Sequence, residues 1–529
     1  WGIRLLMSIK RGHFVRLAAA ASAGGLAACG GGGSAPAAPA PSATPIPTPS
    51  PSPATVPATF TITQSPVTGS ATLDASFASL SYEKYRINTA PAIYFGPGNT
   101  NLIGLLNALG GGMLRIGANN VDRITWTPAG AGQTTGQVAQ IDVQNFAAFC
   151  AQCPTWKVIY GVNYAGSNGS TASPSLAAAE ATFAAAQLGS QLLWFEIGNE
   201  ADLYGNSNTP QLAGITYNTF VNGGTLTSGA TIPGWNQFEA AMKTAVPSAA
   251  FSGPASASDG KGWAENFAAD EQGVISLLTE HYYLPVGGGP SIAAMLAYPN
   301  AGIIALLQRL QTASAAHGNV PFRIDECNSY FSSSNPQGVA NAFASALWGI
   351  DFIFTLAAQG AAGLNFHGGN SVYSPILDDG AGNVIAVQPL YYALYFFSRI
   401  FAGGNSGRLL NSTLSAAGVA ISAFAVSVGS ATYVVLNNKD TTSAANVTIN
   451  IGKAATQATV TVLASSGATP TAQLANLGVY NGGTAITYGG AAVGLSGSWN
   501  GTTQGTQSFS GQSVVINVQA ASAALITIT

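Results

Sequence analysis

From residue 76 to residue 402 the chain alternates short apolar runs with longer segments in which apolar residues recur every three or four positions. The short runs predict strands at Phe77–Glu83, Met113–Gly117, Lys157–Asn163, Leu192–Asn199, Ala250–Ala255, Ile275–Tyr283, Phe322–Glu326 and Gly363–His367. The longer segments predict helices such as Asn101–Leu109, Leu176–Leu188, Gln237–Val246, Ile303–Ala315 and Val339–Ala358, with a last one at Leu390–Phe401. Eight strands, each followed by a helix, are what a (β/α)8 TIM barrel requires. A doubly wound open sheet is the alternative, but no Gly-rich phosphate loop follows the first strand. From residue 403 to 529 the period changes to two, in runs such as ATYVVLNNK and NVTINIG. That pattern predicts a C-terminal antiparallel β-sandwich. Residues 59–75 alternate in the same way and are expected to join the sandwich as an N-terminal strand, since a lone hairpin is not stable in water.

The first 58 residues follow neither pattern. Lys10, Arg11, His13 and Arg16 precede an apolar stretch from Leu17 to Ala28, which has the polarity of an export signal. The stretch is too short to remain as a membrane span. It ends in Leu26-Ala27-Ala28-Cys29, which resembles the lipobox of bacterial lipoproteins. That resemblance implies a signal peptide over 1–28, a lipid on Cys29, and anchoring at the cell envelope, with Gly30 suited to the outer membrane. Met7 is the expected start. Residues 29–58, rich in Gly, Ser, Thr and Pro, cannot bury a core and are expected to form an extended linker.

Charge narrows the partners. Charged residues are 7% of the chain and net charge is −3, which leaves no basic field for nucleic acid or for a long sulfated polymer. Cys150 and Cys153 form a C-x-x-C without further ligands nearby, so a local disulfide or two packed thiols is expected rather than a metal site. Cys327 reads as a packed wall residue. No cofactor is expected, and a monomer is.

In a barrel of this kind reactive groups sit at the C-terminal ends of strands. The fourth strand runs into Asn199-Glu200, the seventh ends at Glu326 and the first at Glu83. Two carboxylates are what cleavage of a glycosidic bond needs, one to protonate the leaving oxygen and one to attack the anomeric carbon. Glu200 and Glu326, across the barrel mouth, are expected to fill those roles in a retaining reaction. The Asn199 amide is placed to donate to the sugar 2-hydroxyl. Glu83, Asn119 and a rim of aromatic and imidazole groups at His281, Tyr282, Tyr330 and Tyr373 are expected sugar contacts. The period of two puts Asp325 on the opposite face from Glu326, as a buried structural carboxylate like Glu196.

F-E-I-G-N-E at the fourth strand, with I-D-E-C-N-S-Y at the seventh, resembles glycoside hydrolase family 79. S-Y-E-K from Ser81, L-R-I-G from Leu114 and N-F-H-G-G from Asn365 extend the resemblance, which covers about residues 60 to 529. The family contains heparanases and bacterial β-glucuronidases. It implies Glu200 as acid/base, Glu326 as nucleophile and Tyr282 bonded to the nucleophile. It further implies a uronate carboxylate read by Tyr330, Tyr373 and the main chain of Gly368 and Gly369. With few and scattered cations, an exo-acting β-glucuronidase on glucuronic-acid-bearing glycans is expected over a heparanase-like endo enzyme. A neutral-sugar glycosidase of the same clan, such as an arabinofuranosidase or xylosidase, and a non-catalytic carbohydrate-binding protein are the alternatives.

Overall fold

The computed structural model describes residues 54–166, 173–257, 261–331, 334 and 336–529. The expected leader, Cys29 and all but the end of the expected linker lie outside these residues. Among the described residues no helix is long and apolar enough to cross a membrane.

Eight parallel strands close into a barrel. In chain order after a first, separate strand β1 (Ala54–Pro66), they are β2 (Ala78–Glu83), β3 (Gly112–Gly117), β4 (Trp156–Val162), β5 (Leu192–Ile197), β6 (Phe251–Ser256), β7 (Ile275–Tyr283), β8 (Phe322–Asn328) and β9 (Leu364–His367). All lie within two residues of their predicted bounds. Four of the eight are buried along their whole length, which is why they lack the polar–apolar alternation of a half-exposed strand. A helix follows each strand and covers the barrel from outside. The helix Ala344–Ala358 is buried almost throughout because the second sheet domain covers its outer face.

Register shifts break the strand period where it matters. Between β7 and β8, Glu280 pairs with Ile324 but His281 pairs with Glu326, so Asp325 is an extra, bulged residue. The β8–β9 pairing skips at the same place, from Ile324 opposite Leu364 to Cys327 opposite Phe366. A bulge turns two consecutive side chains toward one face. Asp325 therefore faces the barrel interior together with Glu326, contrary to the alternation expected from sequence. A second bulge sits at Ala255 in β6, where Pro254 pairs with Thr279 and Ser256 with Glu280.

The second domain is a nine-stranded, largely antiparallel sheet folded on itself. Its main strands are β1 with β10 (Gly407–Ser415), β11 (Ile421–Val428), β12 (Ala431–Asn438), β13 (Ser443–Ser465), β14 (Ile486–Tyr488), β15 (Gly505–Val518) and β16 (Ser522–Ile528). Strand β1 begins at Ala54, five residues before the predicted start. It pairs antiparallel with β10 and parallel with β13. The barrel is thus inserted between two neighbouring strands of the sandwich. Asp351 fastens the two, accepting from Asn437 Nδ2 at 2.8 Å and pairing with Lys439. Phe354 stacks on Phe424 at 4.8 Å beside it.

Cys150, Cys153 and Cys327 are buried free thiols. Burial raises the thiol of Cys153 to about 12.

Candidate active site

The C-terminal ends of the barrel strands surround a cavity of about 890 Å3, lined by Glu83, Asn119, Glu200, Glu326, His367 and Tyr373 among others. Glu200 follows β5 after a tight reversal at Gly198, and has φ 49° and ψ 49°. A non-glycine residue in this left-handed region is strained. Its N–H donates to the carbonyl of Ala255, the bulged residue of β6, so the neighbouring strand's irregularity holds the acid in place.

Arg115, on β3, is the centre of the site and is fully buried. Its Nη1 donates to Glu326 Oε2 at 2.7 Å, its Nη2 to Glu196 Oε1 at 2.6 Å and to Asn199 Oδ1 at 2.9 Å. Its Nε lies 3.5 Å from Asp325 Oδ2. Sequence reasoning passed over this residue. The available signal was a cation in the middle of an apolar barrel strand, which has to find carboxylates inside the barrel.

Glu326 also accepts from the Tyr283 hydroxyl at 3.0 Å, and His367 Nδ1 lies 3.8 Å from its Oε2. Burial by itself raises this carboxyl, but His367, His281 and Arg115 together outweigh it and hold Glu326 well below the ordinary carboxylate range. Glu200 has a different setting. Its Oε1 meets His281 Nδ1 at 2.9 Å, and the carboxyl keeps some exposure. For His281, burial favours the neutral ring, yet Glu326 and the bond to Glu200 prevail and raise it to about 9. Asp325 is raised well above its usual value, first by burial and then by the carboxylate of Glu196 within hydrogen-bonding reach. Glu83, accepting from the Asn120 N–H at 2.7 Å, is raised chiefly by burial.

Ligand atoms of Glu200, His281 and Glu326 all lie within 4.8 Å of one another. Such a cluster can in principle hold an ion. Here Glu326 Oε2 and Glu200 Oε1 are already bonded to Arg115 and His281, which supply the positive charge.

Several expected contacts fall elsewhere. Tyr282 does not bond to the nucleophile. Alternation along β7 sends His281 and Tyr283 inward, while Tyr282 exchanges hydrogen bonds with Asn300 and stacks on Phe352. His281 lies behind Glu200 as its hydrogen-bond partner rather than against a sugar. Tyr330 is buried and its hydroxyl donates to the Ser291 carbonyl, so Phe331 lines the cavity instead. The Gly368 N–H is taken by the Ser81 carbonyl at 2.8 Å, and a Cβ there would stand 2.9 Å from Tyr82. Gly369, at φ +130°, packs against Arg86. These glycines serve close packing. Glu83, Asn119, Tyr282 and Tyr373 do line the cavity, and Asn199 is held by Arg115 with its Nδ2 lacking a partner among the described residues.

No protein-family model matches the chain. A stretch of 100 residues is 30% identical to a beta-glucuronidase of Aspergillus niger, covering 18% of this chain and 18% of that protein's length. Among solved structures, a 4-O-alpha-L-rhamnosyl-beta-D-glucuronidase from Fusarium oxysporum 12S is similar with TM-score 0.65 and 19% identity, over 89% of this chain and all of that one. A GH51 arabinofuranosidase from Xanthomonas axonopodis pv. citri is similar with TM-score 0.61 and 15% identity, over 90% of this chain and all of that one. A monomeric beta-xylosidase from Caulobacter crescentus CB15 gives TM-score 0.56 and 14% identity, over 89% and 99% of the two chains. The chain thus has the glycosidase architecture of a (β/α)8 barrel joined to a β-sandwich.

Proposed function

We propose that this chain is a retaining glycoside hydrolase that removes terminal β-linked glucuronic acid from its substrates. The reading is carried by one observation. Two carboxylates from opposite barrel strands approach within 4.8 Å, one ionised by a buried guanidinium and the other bonded to an imidazole. That closeness suits double displacement, since inversion needs roughly 6.5–9.5 Å to admit a water between the carboxyls.

In the first step Glu326 attacks the anomeric carbon while Glu200 gives its proton to the departing oxygen. In the second, Glu200 takes a proton from water as the water displaces Glu326, so the anomeric configuration is retained. Arg115 and Tyr283 keep the nucleophile ionised and aimed. Asn199 is fixed by Arg115, and its buried Nδ2 has no partner among the described residues.

Glucuronic acid as the sugar is supported by the fungal glucuronidase likeness and by His367 and Tyr373 on the glycone side of the cavity. The withdrawal of Tyr330 and Gly368 favours a second reading, a neutral-sugar glycosidase of the arabinofuranosidase or xylosidase kind. Turnover of p-nitrophenyl β-glucuronide against the α-arabinofuranoside and β-xyloside separates the two. Hydrolysis of a pentoside alone overturns the glucuronide reading. Export and lipid attachment at Cys29 belong to the same proposal, and a Cys29→Ser variant is expected to lose incorporation of labelled fatty acid.

A further inference from the structure

The turn that carries the acid/base is tied down at three consecutive amides, each by a different neighbour. The Gly198 N–H donates to the Val162 carbonyl at the end of β4 at 3.0 Å, and the Glu200 N–H to the Ala255 carbonyl of β6 at 2.9 Å. Those two partners are main chain. Between them, the Asn199 N–H is shared by two side chains, Asp122 Oδ2 and the Tyr204 hydroxyl, at 3.1 Å each. A non-glycine residue keeps the left-handed conformation of Glu200 only where its surroundings over-determine it.

Asp122 lies in the short turn Val121–Arg123 after β3, two barrel strands away from the acid, and is buried. Its two oxygens serve two loops. Oδ1 accepts from the N–H groups of Tyr164 and Ala165, after β4, at 3.0 and 3.1 Å. Oδ2 accepts from Asn199 and, at 2.6 Å, from the Tyr204 hydroxyl. The chain leaves Glu200 through the turn Ala201–Leu203 and comes back at Tyr204 to the same carboxylate that Asn199 has just met. Tyr204 stacks on Tyr164 at 5.8 Å, and a Cβ on Gly198 would run into its hydroxyl. The loop is therefore closed on itself with no slack.

Four donors, two to each oxygen, suit an ionised carboxylate, whereas a carboxamide would turn its NH2 toward one of the pairs. Burial pushes Asp122 up to about 6, and the same four donors hold it from rising further. A buried charge is costly, and here it fastens the main chain beside the acid. The Asn199 side chain is held separately, by Arg115.

We infer that Asp122, together with Tyr204, is a positioning residue of the reaction, setting the backbone from which Glu200 reaches the glycosidic oxygen. The inference rests on Glu200 as the acid/base and adds the support that aims it. General acid catalysis matters most when the leaving group is a poor one. A displaced acid is thus costly for an alkoxide and nearly harmless for a dinitrophenolate, which departs unaided. Loss of folded protein, by contrast, lowers both rates by the same factor.

The test measures kcat/KM on benzyl and dinitrophenyl β-glucuronides for the full chain and for Asp122→Asn, Tyr204→Phe and Glu200→Ala. Asp122→Asn is expected to lose about 100-fold on the benzyl substrate and less than about fivefold on the dinitrophenyl one. Tyr204→Phe keeps the carboxylate and should lose about tenfold and less than about twofold. Equal losses on both substrates in Asp122→Asn, while Glu200→Ala still discriminates between them, overturn the inference and leave Glu200 as the acid. Should Asp122→Asn fail to fold, Tyr204→Phe decides alone: a selective loss supports the inference, and an equal loss or none overturns it. If Glu200→Ala itself loses equally on both, the acid is wrongly assigned and Asp122 has nothing to aim. Where only pentosides turn over, the sugar assignment falls and the same two leaving groups on the xyloside give the same ratio.

Discussion

Two clusters of buried charge, one at the barrel mouth and one at the joint with the sandwich, solve the same problem in opposite ways. At the joint a single carboxylate, Asp351, meets a single cation, Lys439, and its remaining capacity is filled by Asn437 and Ser422. At the mouth three buried carboxylates, Glu196, Asp325 and Glu326, crowd one guanidinium, with Glu200 and two histidines at the edge. Among the described residues the oxygens of Asp325 accept no hydrogen bond and have the Glu196 carboxyl as their neighbour within bonding reach. A balanced cluster holds parts together. An unbalanced one costs stability and persists where the displaced protons are of use.

The largest effect should come from the unbalanced side. Glu326→Gln removes the nucleophile while keeping its shape, and kcat on an activated substrate should fall on the order of 10^4-fold or more. A variant with near-normal turnover would remove the mouth's claim to chemistry. Next comes the joint. Asp351→Asn leaves Lys439 without its counter-charge and should cost about 3 kcal/mol in denaturant unfolding, with kcat of the folded protein unchanged. A loss in kcat alone would make the joint functional rather than structural.

The same substitution at the mouth should behave differently. Asp325 is raised well above its unfolded value of 3.8, so across the interval between the two values folding takes up a proton. That uptake destabilises the native state increasingly as pH rises above 3.8, and Asn escapes it. Asp325→Asn should therefore match the wild-type Tm near pH 4 and equal or exceed it at pH 7, as scanning calorimetry can follow. A Tm gap that widens in the wild type's favour with pH would mean Asp325 is an ionised partner of Arg115 and that the two clusters are alike.

The barrel was legible because its strands are largely buried on both sides and leave short, mainly apolar runs between periodic helices. Glu200 and Glu326 stood out because a chain with so few charges places carboxylates at strand ends sparingly. The errors have a common cause. The period of two assigns faces correctly along a regular strand, and it would have separated Tyr282 from Tyr283 had it been carried through β7. It fails at a bulge, and sequence carries no mark of the extra residue at Asp325. Arg115 was visible as an oddity within L-R-I-G but gained meaning only once β3, β5 and β8 came together around it. The early start of β1 was hidden by Pro57, which made the strand look like the end of the linker.

The sandwich brackets the barrel in sequence, and this orders events during synthesis. Strand β1 leaves the ribosome long before β10 and β13, and it keeps an unpaired edge while the whole barrel is made. Strand β16, which follows all of these in sequence, takes a place in the middle of the sheet between β12 and β13. A nascent chain can therefore complete its barrel while its second domain is still open at both ends. Ribosome-bound chains halted just before β16 should aggregate through those edges, although the catalytic machinery has already been translated in full.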